Sequence, residues 1–182
     1  MKTWFSILLI GFIALNVQAQ NNTKQEKEAA EFKIDSLSVT TLDGTIRSLY
    51  NVISGSKGME RNWKQFKYLF KPNAKLIPSG KNPEGDFMVR YLKPEDYIKS
   101  SGKWLVENGF FEKEIHRQTD VFGNIAQVFS TYESFKSEAD TKPFMRGINS
   151  IQLLYDGARW WIINIYWQQE TEEHPIPKKY LP

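Results

Sequence analysis

The 182-residue sequence has no cysteine and only two histidines, His116 and His174. Without cysteine there is no thiol nucleophile, no thiolate-bound metal, no iron-sulfur cluster and no disulfide framework. Two isolated histidines supply no metal motif, and HExxH, GxSxG and phosphate-binding glycine loops are all missing, so neither metal nor cofactor is called for. Charge of one sign is also scarce: Lys+Arg 24 against Asp+Glu 21 gives a net +3, too small and too evenly spread to argue for nucleic acid or an anionic membrane. A chain of this length buries roughly two thirds of its unfolded surface without a metal or disulfide. Aromatics are what it has in quantity, with 12 Phe, 8 Tyr and 6 Trp making 14% of the sequence.

The N-terminus reads as an export signal. Lys2 is the positive n-region, Trp4 to Leu15 the apolar h-region, and Val17-Gln18-Ala19 an A-x-A-like cleavage site. The apolar run is well short of the roughly 20 residues that span a bilayer. The expected organisation is a signal peptide over 1–19, a polar linker over 20–35, one domain over 36–170 and a tail over 171–182. The expected location is periplasmic or secreted, with no membrane association after cleavage.

Leu42, Ile46, Leu49, Tyr50 and Ile53 form one stripe of an amphipathic helix, with Thr40 or Thr41 as N-cap and Gly55 as stop. Trp63, Phe66, Leu69 and Phe70 suggest a second, short helix ended by Pro72. Ala74 to Ile77 and Phe87 to Leu92 are short strand candidates. Pro94-Glu95-Asp96 opens a third helix that Asn108-Gly109 stops. Four longer strands follow, Phe110 to Phe122, Ile125 to Ser134, Gly147 to Tyr155 and Trp160 to Gln168, with tight turns at Gly123-Asn124 and Asp156-Gly157. The fold class is α+β: three N-terminal helices on a strongly curved antiparallel sheet.

Three stretches carry a family likeness. Leu69-Phe70-Lys71-Pro72-Asn73-Ala74-Lys75-Leu76 and Gly109-Phe110-Phe111-Glu112-Lys113-Glu114-Ile115-His116-Arg117 are two. The third is Gly147 to Leu154 followed by Tyr155-Asp156-Gly157-Ala158-Arg159-Trp160-Trp161-Ile162-Ile163. In this order they resemble the nuclear transport factor 2-like superfamily, which includes ketosteroid isomerases, scytalone dehydratase, limonene epoxide hydrolase and SnoaL-like cyclases. The resemblance implies a cone-shaped domain with an internal pocket. The enzymes' Asp-Tyr-Asp, His-Asp and Asp-Arg-Asp sets have no complete counterpart here. A fold does not imply a function.

Register arithmetic places candidate site residues. A two-residue turn at Gly123-Asn124 sets His116 opposite Thr131 and Glu114 opposite Glu133, so His116 has Glu114 along its strand and Glu133 diagonally across. A carboxylate beside an imidazole suits acid-base work, with Tyr132 joining if a bulge re-phases the strand. The same alternation describes a solvated charge ladder. In the second hairpin Trp161, Ile163, Ile165 and Trp167 share a face with Ser150, Gln152 and Leu154, while Trp160, Ile162, Asn164 and Tyr166 share the other. Both faces are apolar, so both must be covered: a homodimer through the sheet or a folded-back tail or arm would do this. Candidate ligand-lining residues are Tyr50, Trp63, Tyr91, Trp104, Arg146, Gln152 and Trp167, suited to a small apolar or aromatic ligand. Arg146, expected opposite Trp167, has the alternative of pairing with Glu133.

Three functions are consistent with these features: an exported small-molecule-binding protein, a lyase or isomerase using His116, and a structural or protein-interaction domain. Expressed with its own leader in a bacterial host, the exported chain is expected to begin at Gln20, as N-terminal sequencing will show; a retained Met1 or Lys2 contradicts the signal assignment.

Overall fold

The computed structural model describes residues 32–182; the expected signal peptide (1–19) and most of the expected polar linker (20–35) lie outside the described residues. Helix α1 (Leu42–Ile53) buries Ile46, Leu49, Tyr50 and Ile53 as the periodicity requires. The Thr41 side chain caps it by accepting from the Gly44 N–H at 3.0 Å, which satisfies one of the free donors of the first turn. Helix α2 (Trp63–Tyr68) is capped by Asn62. Helix α3 (Pro94–Asn108) starts with Pro94 in its first turn and Asp96 accepting from the Lys93 N–H at 3.0 Å.

Six strands form one curved, unclosed sheet: β1 (Phe70–Lys81), β2 (Phe87–Val89), β3 (Phe111–Phe122), β4 (Ile125–Phe135), β5 (Met145–Tyr155) and β6 (Trp160–Gln169), in the order β2-β1-β6-β5-β4-β3. The four long strands stand within two residues of their expected bounds. Strand β1 is much longer than Ala74–Ile77. It begins at Phe70, directly after α2, and tolerates Pro72 because the ladder is irregular between Phe70 and Lys75, where Asn73 adopts φ 69°; proline belongs where no ladder donor is needed. The sheet is also not wholly antiparallel. β1 runs parallel to β6, which is possible because a helix and four strands separate them in the chain and no hairpin constrains their directions.

Two bulges alter the expected faces. In β3 the register shifts between Glu114 and His116, leaving Ile115 as the extra residue. In β6 it shifts between Ile162 and Asn164 opposite Gln152/Leu153, leaving Ile163 extra. The inner face, toward the helices, therefore carries Glu112, Glu114 and Arg117 of β3, Ser130, Tyr132 and Ser134 of β4, Asn149, Ile151 and Leu153 of β5, and Trp160, Ile162, Ile165 and Trp167 of β6. Trp161, expected beside Trp167, faces outward, with the Arg159 guanidinium 3.6 Å from its ring centroid and 4.0 Å from that of Tyr68.

The outer face is covered in part by the tail. Thr131 Oγ1 donates to the Tyr180 carbonyl at 2.6 Å, the Tyr180 and Phe129 rings meet at 4.9 Å, and Ile176 is buried. Beyond the tail, Val121, Phe122 and Ile125 remain exposed.

Arg61 ties the helical layer together. It is 2% exposed, and its guanidinium donates to the carbonyls of Ile53 (2.9 Å), Gly55 (2.7 Å), Leu105 (3.0 Å) and Met59. The end of α1, the following loop and α3 thus share one donor, which no sequence pattern signals. Arg61→Ala strands several buried carbonyls at about 1–3 kcal/mol each before relaxation. The expected loss is at least about 3 kcal/mol of unfolding free energy in urea titrations; a loss below about 1 kcal/mol contradicts this role.

Candidate functional site

The helices and the inner sheet face enclose a cavity of about 210 Å³. Phe66, Tyr97, Trp104, Phe110, Tyr132 and Trp167 supply aromatic walls, and Leu49, Ile53, Leu76, Leu105 and Ile165 aliphatic ones. Trp104 is 44% exposed and packs with Phe110 and Phe144, which places it where the cavity meets solvent. Gly147 makes room for Tyr132: a Cβ there would lie 2.5 Å from both the Tyr132 hydroxyl and the Gln168 carbonyl.

One lining residue is charged, Glu112. Its backbone N–H donates to Ser54 Oγ at 3.0 Å, fixing β3 to the end of α1. Ser134 Oγ donates to its Oε2 at 3.2 Å and Asn149 Nδ2 approaches its Oε1 at 3.5 Å. From there a chain of polar groups runs outward. Asn149 Nδ2 donates to the Tyr50 hydroxyl (3.1 Å), Tyr50 meets Ser130 Oγ (2.7 Å), and Ser130 donates to Glu114, which pairs with Arg117. Arg117 also reaches Asp43 on α1. Glu112 lines a polar surface cleft with Asp43, Arg47, Tyr50, Glu114 and Arg117 as well as the cavity, so it keeps some accessible surface although protein surrounds the carboxyl group.

Burial pushes the Glu112 carboxyl up to about 7, against the opposing pull of the Ser134 and Asn149 hydrogen bonds. Burial dominates because the group lacks a cationic partner: among the described residues it makes no ion pair. The phenols of Tyr50, Tyr97 and Tyr132 are raised by burial first and by the Glu112 charge second. Among the described residues, the Tyr97 and Tyr132 hydroxyls have no hydrogen-bond partner, so both are free for a guest.

The sequence candidates divide around this site. Tyr132, Trp104 and Trp167 line the cavity. Tyr50 stands behind its wall, hydrogen-bonded to Ser130 and Asn149. Trp63 packs edge-on against Phe66 at 5.7 Å and is not a lining residue. Tyr91 is 68% exposed, because β2 ends at Val89 and its neighbours Arg90 and Leu92, not Tyr91 itself, bond back to β1. Gln152 lies on the outer face, accepting from Asn164 Nδ2 at 2.9 Å. Arg146 lies opposite Glu133 rather than Trp167 and pairs with Glu170 at 2.7 Å and Glu133 at 3.9 Å.

His116 stays opposite Thr131 on the outer face and away from the cavity, and Glu133 pairs across to Lys113. The bulge falls before the histidine, so it turns Glu112 and Glu114 inward and leaves His116 outside. No hydrogen bond or ion pair joins His116 to Glu133 among the described residues, and His116 Nε2 is buried without a partner. Sequence reasoning missed Glu112 and Asn149. A single acid directly after Phe110-Phe111 was the available signal, and the bulge that aims it left no mark.

No family model and no curated protein sequence matches the chain. Solved structures do. A protein of unknown function with a cystatin-like fold from Nostoc punctiforme matches at TM-score 0.55 and 8% identity, over 78% of this chain and 97% of that one. A protein assigned as the beta subunit of an aromatic-ring-hydroxylating dioxygenase from Novosphingobium aromaticivorans matches at TM-score 0.55 and 11% identity, over 77% and 97%. An NTF2-like protein of unknown function from Silicibacter pomeroyi matches at TM-score 0.49 and 15% identity, over 71% and 92%. At these identities the likeness is one of fold: the chain shares the α+β fold of the Nostoc and Novosphingobium proteins, which is consistent with the nuclear transport factor 2-like fold that the sequence resemblance implies.

Glu112 sets a pH dependence for folding. Its folded value, about 7, lies above the ordinary 4.5, so the native chain holds more protons than the unfolded one between those values. The stability from this group is complete below about 4.5 and is lost as pH rises through about 7. At about 1.4 kcal/mol per pH unit the loss is at most roughly 3.5 kcal/mol, less where the cleft admits water. Glu112→Gln is expected to be more stable than the wild type at pH 8, with the two converging near pH 5 in thermal melts; identical slopes in both proteins contradict this assignment.

Proposed function

We propose that this chain is an exported small-molecule-binding protein whose cone-shaped domain holds a small, largely apolar ligand in the cavity above Glu112. One observation carries the reading: an aromatic cavity that stays open, reaches solvent at Trp104, and contains one carboxyl group with two unbonded phenols, Tyr97 and Tyr132. Apolar enclosure with a few convergent polar groups is the usual composition of a ligand site. A purely structural domain would be expected to fill this space. A carboxyl group near neutrality beside free phenols also suits proton transfer, so lyase or isomerase chemistry at Glu112 is the second reading; His116 has no part in it. A second copy of the chain would add its sheet at Val121, Phe122 and Ile125, beyond the tail.

Ethylbenzene is a suitable neutral probe. At 100 times its dissociation constant, a ligand specific for the native state stabilises by about 2.7 kcal/mol, readable as a rise in Tm. Ser101→Trp, which fills the cavity from α3, is expected to abolish the rise, and His116→Ala to leave it intact. No rise in the wild type, or an undiminished rise in Ser101→Trp, contradicts ligand binding in this cavity.

A further inference from the structure

The cavity has an anion's site and no cation. Among the described residues no Lys, Arg or His lines it, and the nearby guanidinium of Arg117 is held by Glu114 and Asp43. The direction of the hydrogen bonds can be followed from that outer end. Arg117 donates to both oxygens of Glu114, and Ser130 Oγ donates to the Oε1 of the same carboxylate. Ser130 has one proton, so the Tyr50 hydroxyl donates to Ser130 and accepts from Asn149 Nδ2. The second Nδ2 proton is left for Glu112 Oε1, while Ser134 Oγ donates to Oε2. The protein thus meets both oxygens of the Glu112 carboxylate with donors, and an acid proton on Oε2 would require the Ser134 hydroxyl to turn from donor to acceptor. The arrangement suits a carboxylate, whose remaining lone pairs lack a counter-charge.

On this basis we propose that the cavity takes a small primary ammonium ion, its charge paired with Glu112 and its apolar body among Tyr97, Trp104, Tyr132 and Trp167. The proposal rests on the cavity being a ligand site and names the class of ligand. Aromatic faces attract cations, and a buried carboxylate gains most from a guest that cancels its charge. An anionic guest would be repelled, and a neutral one would leave Glu112 unpaired. The cavity, about 210 Å³, exceeds the 150 Å³ or so that holds benzene in an engineered core, which fits one ring with a short aminoalkyl arm.

The charges around Glu112 make the pH dependence simple. From β3, Glu114 and Arg117 neutralise each other together with Asp43 of α1, and Arg47 of α1 is exposed on the cleft. Tyr50, Tyr97 and Tyr132, from α1, α3 and β4, stay neutral because burial raises all three. An alkylammonium stays charged to about pH 10, as lysine does. Amine affinity therefore rises with pH as Glu112 ionises, and below that range binding displaces a proton from it.

The test is calorimetric titration of the folded domain with 2-phenylethylamine, 2-phenylethanol and phenylacetate at pH 5.5 and 8.5, using the wild type and Glu112→Gln. The amine is expected to bind the wild type at least tenfold more tightly than the alcohol at pH 8.5, with phenylacetate weakest. That advantage is expected to shrink about tenfold at pH 5.5, and Glu112→Gln should erase it while holding the alcohol within threefold of wild type. If the alcohol equals or exceeds the amine at pH 8.5, the ammonium proposal is overturned and the pocket reading stands. If none of the three binds the wild type, both are overturned. Should Glu112→Gln fail to fold, the wild-type ratio of amine to alcohol at the two pH values decides alone.

Discussion

Residues i and i+3 of a regular strand project from opposite faces of a sheet, yet Glu114 and Arg117 form an ion pair on one face of β3. The extra residue between them, Ile115, makes this possible. A bulge both bends the strand and reverses the alternation beyond it, and here the two consequences are one device. The bend curves β3 toward α1, where Arg117 reaches Asp43 and Ser54 Oγ receives the Glu112 N–H. The reversal turns Glu112 from the face it would share with His116 to the face that meets the helices. Without Ile115 as an extra residue the cavity would have no charged group and the histidine would have two acidic neighbours.

Once Glu112 faces inward, its surroundings decide its chemistry. Burial favours the acid; Ser134 and Asn149 favour the carboxylate, and burial wins. The polar groups behind the wall, Asn149, Tyr50 and Ser130, are ordered from the Glu114 carboxylate, which itself lines the surface cleft. Such networks polarise one another and lose much of their value if one member is removed. Asn149 is the joint of this one, touching both Tyr50 and Glu112, and its position on the inner face of β5 depends only on the unbroken register between β4 and β5.

The helices and long strands were legible because their signals are local: the stripe of α1, Pro94 at the start of α3, and glycine turns between long β-rich runs. The site was legible only in part. Tyr132, Trp104 and Trp167 follow from which elements surround the interior, whereas the placing of His116, Glu112, Gln152 and Trp161 depends on side-chain phase. One extra residue inverts phase, and both bulged strands, β3 and β6, are covered on both faces for part of their length, so hydrophobic alternation did not reveal where the inversion fell. Arg146 shows the same limit across strands. Its pairing with Glu133 was an alternative legible from the sequence, but Glu170 takes the place expected for Trp167, because the β5–β6 turn spans Asp156 to Arg159 and β6 carries the extra residue Ile163.

Glu112 also bears on why the domain keeps an open interior. A carboxyl group placed in an apolar cavity without a cation destabilises the neutral-pH fold, and an apolar or amide side chain of similar size would relieve that strain. The aromatic rings around it could close the remaining space with small shifts, since a larger apolar side chain at Ser101 would bring more burial. Gly147 instead leaves room for the Tyr132 hydroxyl, and Tyr97 and Tyr132 carry hydroxyls where phenylalanine would pack without polar cost. Three choices in one cavity thus favour available polar groups over stability. Local departures from the most stable solution concentrate where a protein binds or reacts, and in this domain they concentrate at Glu112.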